Sequence, residues 1–281
     1  VTPRTHIARL TRSANARYQQ GDYLAAASDY RSSLALAEEP GLVTGLELSA
    51  ILNNLGVVCK YLGAFEEGEN AYRRALALTT EALGPAHPEV ATLYHNLGGL
   101  EHARGRFAEG EPFARRSVEI RERALGPDHP DVAADVAALA ALLDGQRKFD
   151  ESEPLCRRAL AIFERAYGPE YYEVGMNLGN LAALKQAQGK FEEAEPLYQR
   201  ALEIKERHLG PRHPSMATTL HNMAVLAQVR GRFAEAEALY SRAVTILEPA
   251  LGANHPHVAA CQACHAQVRK AAKKLHEQAA A

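Results

Sequence analysis

The sequence has no tryptophan, only four cysteines, and no apolar run longer than Val136–Leu143. So few cysteines in 281 residues do not make the dense disulfide framework that staples small secreted domains. The apolar run falls far short of the roughly 20 residues a membrane-spanning helix needs, so no membrane insertion is expected. A surplus of charge is missing too: 32 Lys and Arg against 34 Asp and Glu leave a net charge of −2. Without a chain-wide basic excess, no nucleic-acid partner is expected. With 11 tyrosines and no tryptophan, intrinsic fluorescence will report binding poorly. What is present, 47% hydrophobic and 23% charged residues, is the balance of a folded chain rather than a disordered one. The chain begins at Val1 without a signal-peptide pattern, which points to a removed leader or to a fragment of something longer. The compartment stays open, with the cytoplasm favoured.

Internal repetition carries the fold. Gly84, Gly126, Gly168, Gly210 and Gly252, each preceded by Leu or Tyr, stand 42 residues apart. A second marker keeps that step: Gly63-x-Phe65, Gly105-x-Phe107, Gly189-x-Phe191 and Gly231-x-Phe233, with Gly21-x-Tyr23 before them. In the fourth copy Phe149 keeps its place while Arg147 replaces the glycine. A constant period in this range, without insertions, indicates a solenoid rather than a compact globule. Six units are expected at 7–48, 49–90, 91–132, 133–174, 175–216 and 217–258, with a capping helix over 259–281, all forming one domain over 1–281. Each unit reads as two amphipathic helices. Leu52, Leu55, Gly56 and Cys59 share one helical face, and Phe65, Ala71, Tyr72, Ala75 and Leu76 share another. Gly126 suits a left-handed helix end, and Pro130 the first turn of the next helix. Pro112, Pro154 and Pro196 share one register early in the second helices, where unpaired first-turn N–H groups tolerate proline. Gly56, Gly98, Ala140, Ala182 and Ala224 recur where two helices approach closely.

These motifs, Asn-Leu-Gly, Gly-x-Phe-x-Glu-Ala/Gly-Glu, Tyr-x-Arg-Ala-Leu and Leu-Gly-Pro-x-His-Pro-x-Val, resemble the tetratricopeptide repeat over about residues 7–258. They are most similar to the long-loop variety of the kinesin light chain, with Phe191–Gly210 a close match. The resemblance implies an all-α, right-handed α-solenoid of six helix-turn-helix units whose first helices line a concave groove. It further implies a non-enzymatic interaction module that binds a peptide segment of a partner protein, without naming that partner or the oligomeric state.

One stripe of each first helix should then be free of core duty: Ala50, Asn53, Asn54, Val57, Lys60 and Tyr61 in the second unit, and their counterparts 42 residues on. Asparagine recurs at one register as Asn54, Asn96, Asn180 and Asn222. Its amide offers donors and an acceptor to the backbone of an extended peptide, and asparagines at the matching register line the groove in the resembled family. The alternative is that these amides bridge adjacent helices or face water. The candidate peptide contacts are Asn53, Asn54, Lys60, Tyr61, His95, Asn96, His102, Asn180, His221 and Asn222. The cations of the two-carboxylate clamp found in some co-chaperone relatives are missing beside Asn15, Asn54 and Asn96. Arg12, Lys60, His95 and His102 leave the N-terminal half mildly positive, suited to a peptide with one or two acidic groups.

Cys261-x-x-Cys264-His265 matches the pattern for covalent attachment of c-type haem, with His276 as a second axial candidate. Zinc is another reading of Cys261 and Cys264, completed by His255, His257 or His265. Both are weighed against two half-exposed cysteines in the first helix of a partial seventh unit, so the expectation is no cofactor. Cys59 and Cys156 fall at core registers. No phosphate loop, HExxH, GxSxG or EF-hand pattern occurs, and the His95, His102 and Glu101 grouping is read as peptide contact rather than catalysis. The runner-up functions are a haem- or metal-bearing redox protein using the C-terminal motif, and the regulatory region of a larger multidomain protein.

Overall fold

The computed structural model describes residues 2–279, with side chains through 273. Among them are thirteen α-helices and no strand. The helices come as pairs: α1 (Pro3–Gln19) with α2 (Tyr23–Ala37), α3 (Gly45–Leu62) with α4 (Phe65–Leu83), α5 (Pro88–Ala103) with α6 (Phe107–Leu125), and α7 (Pro130–Gly145) with α8 (Phe149–Tyr167). Next come α9 (Tyr172–Ala187) with α10 (Phe191–Leu209), α11 (Ala217–Val229) with α12 (Phe233–Leu251), and α13 (Pro256–Ala279). The chain packs as two compact units that divide within α8, one reaching Ile162 and the other starting at Phe163. Within each unit, successive helices pack on one another in chain order, the arrangement of an α-solenoid.

α5, α7 and α13 open three residues ahead of the expected unit boundaries, and a short 3-10 helix at Pro214–Met216 does the same before α11, because the linker histidine caps the segment. His87, His129, His213 and His255 each accept a backbone N–H two residues on at Nδ1, over 3.1–3.2 Å. Only a neutral ring protonated on Nε2 has that lone pair. Proline then occupies the first turn, where its missing N–H costs nothing. The cap is lost before α9, where Tyr171 makes no side-chain cap bond.

Two expectations about backbone need correction. Gly126 is not left-handed helical: at φ 86° and ψ 156° it occupies a region essentially reserved for glycine. Gly84, Gly210 and Gly252 share it. Pro112, Pro154 and Pro196 lie inside α6, α8 and α10 rather than in their first turns. All three are exposed, so the cost of a lost helical bond falls on the solvent side.

The core repeats with the sequence. Leu52, Ala71, Tyr72, Ala75, Leu93, Leu97 and Leu100 form one cluster across α3, α4 and α5. Ala182, Ala194, Tyr198 and Leu226 form one in the second unit. Each fully buried large apolar side chain contributes roughly 1.5–3 kcal/mol. Close approach explains the small residues: a Cβ on Gly56 would meet the Tyr72 ring at 2.6 Å.

Successive second helices are also tied by polar pairs 36 residues apart. In the first unit these are Arg31–Glu67, Arg74–Glu38, Arg115–Glu151 and Arg158–Glu122. In the second they are Arg200–Glu164 and Arg242–Glu206. Partly exposed ion pairs of this kind contribute roughly 0–1 kcal/mol each.

Candidate functional site

In the first unit the expected stripe of α3, α5 and α7 is half-buried or exposed throughout, except for Ala137. Its amides are partly engaged with each other. Asn96 Nδ2 donates to Asn53 Oδ1 at 2.7 Å, joining α5 to α3, and Asn53 Nδ2 donates to Asn54 Oδ1 at 3.3 Å. The helix-bridging role therefore holds for Asn53 and Asn96, whereas both Nδ2 hydrogens of Asn54 are unused among the described residues. Lys60 forms no ion pair among the described residues, and its Nζ lies 4.9 Å from the Tyr61 ring centroid. That ring stacks on buried Tyr23 at 4.7 Å. His102 is exposed and meets Phe107 edge-on at 5.3 Å. Loss of hydration within the surrounding protein, and repulsion from Lys60, hold its imidazole below the ordinary histidine pKa. Asp144, at the Lys60 register of α7, is pushed up to about 6 by burial, with Arg147 pulling the other way. Beside Asn53 and Asn54 lies a hollow of about 320 Å³, walled by Leu46, Leu83, Ala50 and Leu93 with Thr92 and Glu89 at its edge.

In the second unit, Asn180 on α9 and Asn222 on α11 are half-buried. Neither side chain forms a hydrogen bond among the described residues.

A feature absent from the sequence expectations links successive first helices. His95 Nδ1 bonds the fully buried Asp135 at 2.8 Å, and because a carboxylate only accepts, the ring proton sits on Nδ1. Arg121 from α6 completes the group, with Nε 3.3 Å from Asp135 Oδ2 and Nη2 2.7 Å from Thr92 Oγ1. The same two registers recur as Gly179 with Thr219 and as His221 with Cys261. The His221 Nδ1···Cys261 Sγ distance is 3.3 Å. Burial pushes the Cys261 thiol up to about 11 and holds His221 below its ordinary value, so both partners are neutral near pH 7.

Cys261 is thus fully buried rather than half-exposed, because its register is the one Asp135 fills. Cys264 and His265 are partly buried, and the His276 side chain lies outside the described residues. Among the described residues, no three His, Cys, Asp or Glu side chains are grouped to hold a metal ion. Cys59 and Cys156 are buried thiols, as their registers predict. No described helix is long and apolar enough to cross a membrane.

Comparison with known proteins agrees with this architecture. A tetratricopeptide-repeat family model matches residues 47–109, 133–207 and 215–281, and a second matches 90–131. The chain belongs to the tetratricopeptide repeat family. Repeats of this kind generally mediate protein–protein interaction. Among solved structures it is similar to BtubC (BKLC) from P. vanneervenii, at 24% identity over 91% of this chain and 94% of that one, TM-score 0.56. A putative kinesin light chain from Podosopora anserina with nearly identical TPR-like repeats is 23% identical over 73% of this chain and 96% of that one, TM-score 0.51. A Rap protein complexed with competence and sporulation factor is 15% identical over 99% and 77%, TM-score 0.67. Identities this low speak for the fold alone. A search of curated proteins gives no match.

Proposed function

We propose that the first-helix face of the N-terminal unit captures an extended segment of a partner protein, without catalysis. The observation that carries this reading is the hollow beside Asn53 and Asn54, next to a stripe on which the Asn54 Nδ2 hydrogens and the Lys60 ammonium are left unused among the described residues. The amide chain Asn54–Asn53–Asn96 supplies hydrogen bonds to a peptide backbone, and the apolar walls of the hollow accept one side chain of the segment. Lys60 provides positive character, His102 a neutral ring able to hydrogen-bond, and Tyr61 a flat apolar wall. Asp135 holds the His95 ring in one orientation, which leaves Nε2 for the ligand. In the second unit, Asn180, Asn222 and His221 form the corresponding surface. The Rap complex with competence and sporulation factor supports a ligand-holding use of the fold.

The test is calorimetric titration of peptides selected from a displayed library on the wild-type chain. These are compared with an Asn54→Ala, Lys60→Ser, His102→Ala variant that melts at the wild-type temperature. Asn96 is retained because it bonds Asn53. Affinity should fall at least about tenfold, or 1.4 kcal/mol. Equal affinity for both proteins places binding elsewhere.

A further inference from the structure

The repeat supplies its own reference for one buried cation. In the first unit, Arg121 approaches the carboxylate of Asp135, which also bonds His95. Two repeats later the three positions are Lys205, Thr219 and Gly179. The cation is kept, its carboxylate has become a hydroxyl, and the imidazole has been deleted. Lys205 on α10 is 4% exposed. Among the described residues its one hydrogen bond is from Nζ to Thr219 Oγ1, at 2.8 Å. An ammonium group has three donors, so two are unmatched. Among the described residues no carboxylate moderates the charge: burial alone lowers the amine to about 8. A buried ion without a counter-ion is costly.

The opening lies where the ring was removed. Gly179 is half-buried on the α9 stripe, and a Cβ built there would sit 3.7 Å from Lys205 Nζ and 4.0 Å from Thr219 Oγ1. The amine is therefore one atom layer below the surface, beside Asn180. Serine, alanine or histidine at 179 would cover it.

We propose that Lys205, Thr219 and the gap at Gly179 form a site for the carboxylate of an acidic side chain on a bound segment. The ligand's oxygen takes the place that Asp135 holds in the first unit, bonding the ammonium and the Thr219 hydroxyl, while Asn180 receives the adjoining backbone. This deepens the peptide-capture reading by naming the ligand's chemistry in the second unit, and it rests on that reading only for what carries the carboxylate.

The probe is N-acetyl-aspartic acid amide, with N-acetyl-asparagine amide as control, titrated at constant ionic strength into chain carrying ¹³C at the lysine ε-carbons. The Lys205 signal is assigned by its loss in Lys205→Met. The aspartate probe should shift that signal saturably and raise its titration midpoint by about one unit, a tenfold change in proton affinity. The asparagine probe should do neither. Thr219→Asp, which restores the carboxylate of the first unit, should abolish the response. Gly179→His, an addition at a half-buried site, should block it too and serves where Thr219→Asp does not fold. Identical responses to both probes overturn the proposal, as does a response that survives the substitutions. A silent Lys205 alongside intact peptide binding in the N-terminal unit would sink this site alone. Loss of the peptide effect with a responsive Lys205 would sink only the proposed function.

Discussion

Arg147 holds a backbone position that five other copies give to glycine. Its φ is 61°, against 71–79° for Gly21, Gly63, Gly105, Gly189 and Gly231. Left-handed backbone costs an L-residue roughly 1–2 kcal/mol, and relief of that strain is the gain expected from Arg147→Gly. Two terms oppose it. Glycine is freer in the unfolded chain by about 0.5–1 kcal/mol. The guanidinium also lies 5.3 Å from the Phe149 ring centroid, an exposed cation–π contact worth about 0.5 kcal/mol. The net against wild type is close to zero, so the informative comparison is Arg147→Gly with Arg147→Ala. Both lose the ring contact, and only alanine keeps the strain. The glycine variant should be the more stable by about 1 kcal/mol. Urea denaturation followed by circular dichroism measures it. Neither variant carries the guanidinium, so its attraction to Asp144 drops out of the comparison. An alanine variant as stable as the glycine one would refute the reasoning.

Removing a helix cap should be just as local in effect. His129→Ala deletes the Nδ1 acceptor for Asp131 N–H and should cost about 1 kcal/mol, seen as a lower melting temperature. Asp144 provides a pH signature: its folded value of about 6 lies above the ordinary 3.8. The native chain therefore holds a proton that the unfolded chain releases, and its stability falls as pH rises between those values. Asp144→Asn removes this loss, with a gain of about 1–2 kcal/mol near pH 7 after discounting for partial solvation, and none below about pH 4. Denaturation at both pH values checks the sign. Gly56→Ala should cost about 1–3 kcal/mol, since the new methyl meets the buried Tyr72 ring at 2.6 Å. Gly98→Ala, whose Cβ finds its nearest atoms at 3.4 Å, should be neutral or stabilising by up to about 1 kcal/mol. Thermal melts of the two variants falling in the opposite order would contradict that packing argument.

The period and the helix pairs were legible because glycine, proline and core residues each obey a local rule, and repetition multiplied a weak signal. The linker glycine is legible as a residue but its φ/ψ is not, because Leu-Gly alone does not distinguish left-handed from extended positive-φ backbone. The histidine caps were visible only as punctuation. Part of the candidate stripe was readable from helical spacing, yet spacing says nothing about whether Asn53 is spent on Asn96. The His95–Asp135 and His221–Cys261 pairs, each 40 residues apart, join different helices, so the periodicity of a single helix does not reveal them. Aligning the copies column by column exposes them. Lys205 escaped because a lone lysine in a charged second helix looks solvated until burial is known.

The arginine–glutamate pairs between neighbouring second helices have a mechanical meaning. Each is a soft spring set to one side of the apolar seam that joins two hairpins, and so resists their splaying through leverage. Such springs weaken with salt, as the screening length falls from about 10 Å at 0.1 M to 3 Å at 1 M, while the seam does not. Raising ionic strength therefore loosens adjacent hairpins against splaying more than it weakens the apolar core that dominates their resistance to unfolding.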